Sequence, residues 1–344
     1  MRALKTLAAV GALLLTAACG GGSAATAAPS AAKTLRLGYF ANVTHAGPMY
    51  GVASGGYQQA LGTTQLKTQV FNAGPAAVEA LFAKSIDAAY LGPGPAVNAF
   101  LKSKGDVVVV AGATSGGAAL VVRPEITSPA QLKGQKVADP QTGGTQDIAL
   151  RTFLAGQGFQ VDRQGGGDVT IVAQENAQTL DLFKSGQIAG GWVPEPWASR
   201  LVLEGGGKVL VDEASLWPGG RFVTTNLVVR KAFLEQHPQT VRALLQAQVE
   251  ADRQIKAAPA KAQQVVNDAL KQLTGKSLKP AVIARAFQRI EVTEDPLAST
   301  LKELAGHAFA TGLVKKGDLK GIYDLTLLRE VLGTQVDDAG LGKG

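Results

Sequence analysis

The sequence predicts an α/β protein of two doubly wound lobes joined by two crossover segments. Three observations carry this reading. Residues 35–111 laid on 136–212, 101 positions further on, keep strands, turns and helices in phase. Leu81-Phe82 falls on Leu182-Phe183, Pro93-Gly94-Pro95 on Pro194-Glu195-Pro196, Val107–Val110 on Lys208–Val211, and Thr44 on Thr145. Both copies alternate short apolar runs with segments of helical spacing, the pattern of parallel strands linked by right-handed crossovers. Two segments outside the repeat, Gly117–Arg123 and Phe222–Arg230, share the ending Leu-Val-Val-Arg and read as the crossovers, expected to pair antiparallel near a hinge. Two equivalent lobes side by side leave a cleft facing two sets of strand ends, a natural ligand site.

In lobe one, Thr34–Phe40 alternates as a strand and Ala41–Pro48 is a loop opening a helix, with Pro48 near its start. Gln65–Asn72 is a strand, and Pro75–Lys84 has helical spacing with Val78, Leu81 and Phe82 on one side. Ile86–Leu91 is a strand entering Gly92-Pro-Gly-Pro, a helix follows to Lys102, and Val107–Ala113 is a buried strand. Lobe two repeats this order. Gln135–Asp139 leads into Pro140–Gln146 and a helix to Ala155. Then come strand Val169–Ala173, helix Ala177–Lys184, strand Ile188–Val193, a helix to Leu203 and strand Lys208–Val211. From Lys231 on the chain reads as helices that pack back on lobe one. The expected bounds are 34–115 with about 235–344 for lobe one, and about 116–234 for lobe two.

Residues 1–18 read as a signal peptide. Arg2 and Lys5 precede an apolar stretch, Leu7–Leu15, too short to span a bilayer. Thr16-Ala-Ala-Cys19 follows and resembles a bacterial lipobox, so Cys19, the one cysteine of the chain, is the expected lipidation site rather than half of a disulfide. Residues 19–33, rich in Gly, Ser and Ala, read as a flexible tether to the membrane. Without Arg2 and Lys5 the chain holds 32 basic against 27 acidic residues, a mild excess that suits an anionic ligand or simply a soluble basic surface. No Lys/Arg cluster points to nucleic acid.

Enzyme signatures are missing. The three histidines, His45, His237 and His307, have no metal-site spacing, and no metal or cofactor is expected. There is no G-x-S-x-G elbow, no P-loop and no G-x-G-x-x-G at either lobe's first turn. What remains is a set of helix entries facing one cleft: Asn42–His45, Gly92–Pro95, Thr142–Gln146 and Glu195–Trp197. A helix N-terminus presents unpaired N–H groups and partial positive charge, and so holds an anion without a charged side chain. Thr44, Thr142 and Thr145 add hydroxyls, although a threonine there can equally be an N-cap. Gly92 and Gly94 admit close approach, or only a turn. Thr114 and Ser115 stand where the chain leaves lobe one. His45 caps a helix or meets ligand, Glu195 caps a helix or meets a ligand amine, Trp197 is a candidate apolar wall, and Trp192 is expected in the core. Trp217 is expected on a surface or hinge loop.

In order, the lipobox, Leu35-Arg-Leu-Gly-Tyr-Phe-Ala-Asn-Val-Thr-His-Ala46, Ala83-Lys-Ser-Ile-Asp-Ala-Ala-Tyr-Leu-Gly-Pro-Gly-Pro95, Leu132-Lys-Gly-Gln-Lys-Val-Ala138, Thr142-Gly-Gly-Thr145 and Trp192-Val-Pro-Glu-Pro-Trp197 resemble the solute-binding proteins of ABC importers for aliphatic sulfonates, taurine, nitrate and bicarbonate. The resemblance runs from about 34 to 335. It implies a type II periplasmic-binding fold and a lipid-anchored monomer outside the cytoplasm. A small anion, foremost an aliphatic sulfonate, would bind between the lobes, and the closed form would dock on the permease subunits. It places the contacts on Asn42, Thr44, His45, Gly92, Gly94, Thr114, Ser115, Thr142, Thr145, Glu195 and Trp197. Nitrate or bicarbonate, or a pyrimidine thiamine precursor, are the alternative ligands.

Overall fold

The repeated strands each form their own sheet, and each sheet is completed by a strand that arrives from the other lobe. The computed structural model describes residues 30–343; the expected signal peptide, Cys19 and most of the tether lie outside them. In the first lobe β1 (Thr34–Phe40) pairs in parallel with β2 (Gln65–Phe71) and β3 (Ala88–Leu91), and β4 (Val107–Gly116) runs nearby in the same direction. The chain then crosses over. In the second lobe β5 (Ala118–Val122) is followed by β6 (Lys136–Asp139), β7 (Thr170–Ala173), β8 (Gly190–Pro194) and β9 (Lys208–Asp212), and the chain returns as β10 (Val223–Arg230), with a short β11 (Ile290–Val292) at the far edge. The sheets are ordered β11-β4-β10-β3-β1-β2 and β7-β6-β8-β5-β9.

The crossover strands correct one expectation. Leu120–Arg123 and Leu227–Arg230 do not pair with each other. β5 lies antiparallel between β8 and β9, and β10 lies antiparallel between β3 and β4. Their Leu-Val-Val runs are buried on both faces and therefore need partners on both edges, which only the interior of a sheet supplies. β10 belongs to the first sheet, so the chain has re-entered that sheet by Val223.

The duplication holds in topology but is not gapless. Leu37 meets Ala88 as Val137 meets Gly190, so the offset is 100 at the first strand and 102 at the third. Alternation sets the cores. In β5, Leu120 and Val122 pack with Val137, Leu150 and fully buried Trp192, whereas Ala119 and Val121 pack with Leu180, Phe183 and Leu201 on the other face. Lobe one has a larger core because the helices Pro238–Ala257, Pro259–Thr274 and Ala298–Ala310 pack back on it through Leu244, Val266 and Leu301. Trp217, expected on a surface or hinge loop, is buried on the return crossover and stacks on Phe222 at 5.8 Å between centroids.

Gly116 and Gly117 form the outgoing crossover with φ of 76° and 79°. A Cβ on Gly116 would lie 2.8 Å from the Arg289 carbonyl oxygen, so both backbone sign and space call for glycine there.

Candidate functional site

The lobes are shut on one another. Thr44 N donates to Glu195 O at 3.3 Å, Trp197 Nε1 to Asn42 Oδ1 at 2.9 Å, and Asn72 Nδ2 to Glu175 Oε1 at 2.5 Å. On the hinge side Arg289 pairs with Asp212 at 2.8 Å and Arg285 stands 3.7 Å from Glu195. Between the lobes lies a cavity of about 40 Å³. One water needs roughly 10–15 Å³ on this measure, so the space suits about three waters or a small polyatomic ion.

Lobe one contributes Phe40, Asn42, Thr44, His45, Gly92 and Thr225 to the walls. Lobe two contributes Gln141, Gly144, Thr145, Gln146 and Asn176. Among the described residues no Lys, Arg, Asp or Glu lines the cavity. Backbone can supply donors instead. The helices Thr145–Gly156 and Asn176–Lys184 begin at its wall, and the first N–H groups of a helix have no intrahelical acceptor; Pro93–Lys102 also begins there, but Pro93 and Pro95 carry no N–H, so it adds only the end of its dipole.

Three buried polar atoms at this wall have no hydrogen-bond partner among the described residues: His45 Nε2, Thr145 Oγ1 and Asn176 Oδ1. Such groups each cost roughly 1–3 kcal/mol when left unpaired, and their convergence marks a place for a ligand that pairs them. The His45 ring lies on Phe40 at 4.4 Å, and burial holds its pKa down at about 3, so the imidazole is neutral. Thr44 Oγ1 is 3.3 Å from Nδ1. When that hydroxyl donates, Nε2 carries the proton and is a donor. Thr145 is not an N-cap, because Gly144 holds that position and no side chain caps the helix.

The loops are braced from behind. Thr44 O accepts from Thr114 Oγ1 at 2.7 Å and from Thr225 Oγ1 at 3.0 Å. In lobe two Asp147 Oδ2 accepts from Gly143 N at 2.7 Å while its other oxygen takes Arg151 Nε at 2.5 Å. Asp139, at the end of β6, is fully buried beside this pair. Burial, then the Asp147 charge, pushes its pKa well above the usual carboxylate range.

Of the eleven residues expected at the site, the structure brings Asn42, Thr44, His45, Gly92 and Thr145 together at the cavity. The other six stand elsewhere. Gly94 faces lobe two, where a Cβ would come 2.6 Å from Ile148 Cδ1. Thr114 braces the Thr44 loop, and Ser115 Oγ accepts from Phe222 N at 3.3 Å. Thr142 lines an outer groove. The Glu195 carboxylate turns back to its own helix, accepting from Ser199 N at 3.1 Å and Ser199 Oγ at 3.0 Å, and it is buried toward Arg285. Burial raises its pKa. Trp197 holds Asn42 through its indole N–H and lines a side groove under Arg200. The sequence reading omitted Asn176, Gln141 and Thr225. Asn176 had a usable signal, since it opens the helix after β7 and so is a fifth helix entry at a strand end.

Comparison with known proteins accords with this geometry. The taurine-binding periplasmic protein of Escherichia coli (strain K12) is 30% identical over 185 residues, 53% of this chain and 55% of the relative, so the match spans about half the length of that protein. Among solved structures, the alkanesulfonate-binding protein SsuA from Xanthomonas axonopodis pv. citri bound to MOPS has a TM-score of 0.69 at 23% identity, covering 83% of this chain and 96% of that one. The nitrate-binding protein NrtA from Synechocystis PCC 6803 has a TM-score of 0.75 at 18% identity, covering 91% and 92%. The fold is that of the type II periplasmic binding proteins. The pattern of the NMT1-like family matches residues 28–269, and the chain belongs to that family.

Proposed function

We propose that the chain is the extracytoplasmic binding component of an ABC importer, a receptor and not an enzyme. It captures a small anion between its lobes and delivers it to the permease subunits. It works as a monomer held at the membrane through lipidated Cys19. The single observation that carries the anion is the cavity walled by helix N-termini and by the unpartnered His45 Nε2 and Thr145 Oγ1, with no carboxylate in its lining among the described residues. The names of the relatives, for taurine, alkanesulfonate and nitrate, support the same class.

Within that class we favour the sulfonate group of a short aliphatic sulfonate. Three oxygens around one centre match several converging donors from both lobes. The cavity of about 40 Å³ accepts such a head group, and by size it accepts nitrate or bicarbonate, which remain the second reading. A pyrimidine ring is larger than the inner cavity and would find no carboxylate in that cavity's lining for an amino group.

A thermal-shift and calorimetric panel of methanesulfonate, taurine, nitrate, bicarbonate and a hydroxymethylpyrimidine tests this. A ligand at 100 times its dissociation constant stabilises by about 2.7 kcal/mol. A shift with the pyrimidine and none with any anion would overturn the reading.

A further inference from the structure

Behind the lobe-two wall of the cavity two carboxyl groups are buried with a single cation. β6 alternates so that Val137 faces the core of Leu150, Leu154 and Trp192, and Ala138 faces the opposite one. Asp139 therefore lies on the Val137 face, against the helix Thr145–Gly156. Asp139 and Asp147 are 0% exposed and Arg151 6%. Asp147 is fully used: Gly143 N and Arg151 Nε each donate to one of its oxygens, and Arg151 Nη1 goes on to Asp162 O at 2.6 Å. Neither Asp139 oxygen has a hydrogen-bond partner among the described residues. Arg151 and the Gln141 N–H favour its charged form, but burial and then the Asp147 charge outweigh them. The other ionisable groups around it are engaged elsewhere or exposed. Asp162 accepts from Gly166 N, Glu213 accepts from Trp192 Nε1, and Lys133 pairs with Asp168. Lys136, Glu175, Asp181 and Lys184 are exposed, and His45 across the cleft is neutral.

We infer that Asp139 is a positioning residue of the anion site and works as the neutral acid: its O–H donates to Asp147, Asp147 holds Gly143 N, and Gly143 fixes the turn from which Gly144 and Thr145 meet the ligand. This rests on the reading of the cavity as an anion site. One proton held between the two carboxyls leaves Arg151 as a cation, Asp147 as an anion and Asp139 neutral, with no net charge. The neutrality matters because, among the described residues, no cation lines the cavity to offset a charge behind it. Asp139 stands two residues before Gln141, within roughly 10 Å of an anion in the cavity. Two like charges at that separation, with an effective dielectric constant of about 20, weaken binding on the order of tenfold. Holding the anion and holding this proton therefore favour one another.

The full chain is compared with Asp139→Asn, Asp139→Ala and Glu213→Gln at pH 7 by calorimetry with methanesulfonate and nitrate, and by infrared spectroscopy. Urea unfolding shows that each variant is folded. Asp139→Asn keeps a neutral donor toward Asp147 and should bind both anions within about twofold of the parent. Asp139→Ala loses the donor and should weaken both by about three- to tenfold, a fraction of what a charge-assisted hydrogen bond is worth. A protonated-carboxyl band of the parent should be lost in Asp139→Asn and should not be the band lost in Glu213→Gln. Binding about tenfold tighter in Asp139→Asn, or no infrared difference between it and the parent, means an ionised Asp139 and overturns the inference. Equal affinity of all forms removes the positioning role while the anion site survives. If neither anion binds the parent, the anion reading falls and the positioning role with it.

Discussion

Replacing Thr145 by alanine separates a ligand donor from a structural threonine, because the two roles move stability and affinity differently. Thr145 Oγ1 is buried without a partner, and the residue sits one position inside the helix, so it caps nothing. Its removal from the empty protein therefore breaks no hydrogen bond. It relieves an unpaired hydroxyl in the closed state, and in the open state that hydroxyl is hydrated. The empty variant should be as stable as the parent, or up to about 1 kcal/mol more stable. With ligand bound, the hydroxyl donates to an anion, and hydrogen bonds to charged groups are worth about 1.5–3 kcal/mol. The dissociation constant should then rise roughly 10- to 150-fold, since about 1.4 kcal/mol is a factor of ten. Thr145→Ser keeps the hydroxyl and should stay within a few-fold of the parent. Urea unfolding without ligand and calorimetry with the cognate anion read the two quantities independently. A loss of about 1 kcal/mol in the empty protein with affinity unchanged would refute the reasoning and make Thr145 a structural residue.

Two further perturbations follow from the same structure. In Gly92→Ala the new methyl falls inside contact distance of Thr145 Oγ1 in the opposite lobe, so full closure is blocked while each lobe still folds. Affinity should drop tenfold or more with little change in melting temperature, and small-angle scattering should show no contraction on adding ligand; normal contraction sinks the idea. Glu213 is buried, accepts from Trp192 Nε1 at 2.7 Å, and burial pushes its pKa from 4.5 up to about 7. A folded pKa above the unfolded one means that the folded state binds the extra proton, so stability is greatest below pH 4.5 and falls as pH rises toward 7. A shift of this size amounts to about 3 kcal/mol over that window. Glu213→Gln mimics the protonated form and should flatten the slope, read by denaturant unfolding at pH 4.5, 6 and 7.5; an unchanged slope removes Glu213 as its source.

The backbone plan was legible in the sequence because it rests on periodicity and turn chemistry, both local. The alternation of Thr34–Phe40, the prolines opening the helices at 93 and 238, and the buried valines of 107–110 each specify their element without long-range information. Trp192, fully apolar in its sequence surroundings, went to the core as expected. Strand pairing of the crossovers was not legible. Leu120–Arg123 and Leu227–Arg230 look like mutual partners, yet the choice between pairing with each other and inserting into opposite sheets is made by total burial across both lobes. Side-chain direction was the other hidden quantity. Glu195 stands at a helix entry and so looked like a ligand residue. Ser199 one turn on and Arg285, 90 positions away, draw its carboxylate to the hinge side. Thr114 looked like a donor to the cleft, and it is spent on the Thr44 carbonyl.

These placements divide the energetics of closure between two sides of the molecule. On the hinge side Arg289–Asp212 and Arg285–Glu195 join the lobes with charges on both partners. The first is exposed and worth at most about 1 kcal/mol, and the second leaves an ion pair largely buried, where desolvation offsets most of the attraction. Neither can hold the lobes together by much. On the cavity side closure without ligand buries His45 Nε2, Thr145 Oγ1 and Asn176 Oδ1 unpaired, a penalty of several kcal/mol at about 1–3 each. The Thr44–Glu195, Trp197–Asn42 and Asn72–Glu175 hydrogen bonds across the cleft, each worth about 0.5–1.5 kcal/mol, are offset by this penalty, so an empty molecule has little net reason to stay shut. An anion that accepts from His45 Nε2 and Thr145 Oγ1 removes their share of the penalty only in the closed form, because these two donors come from opposite lobes; Asn176 Oδ1 is an acceptor and needs a hydrogen from elsewhere on the ligand or from water. The differential contact required for an anion to shift the conformational equilibrium is then located in two donors, His45 Nε2 and Thr145 Oγ1.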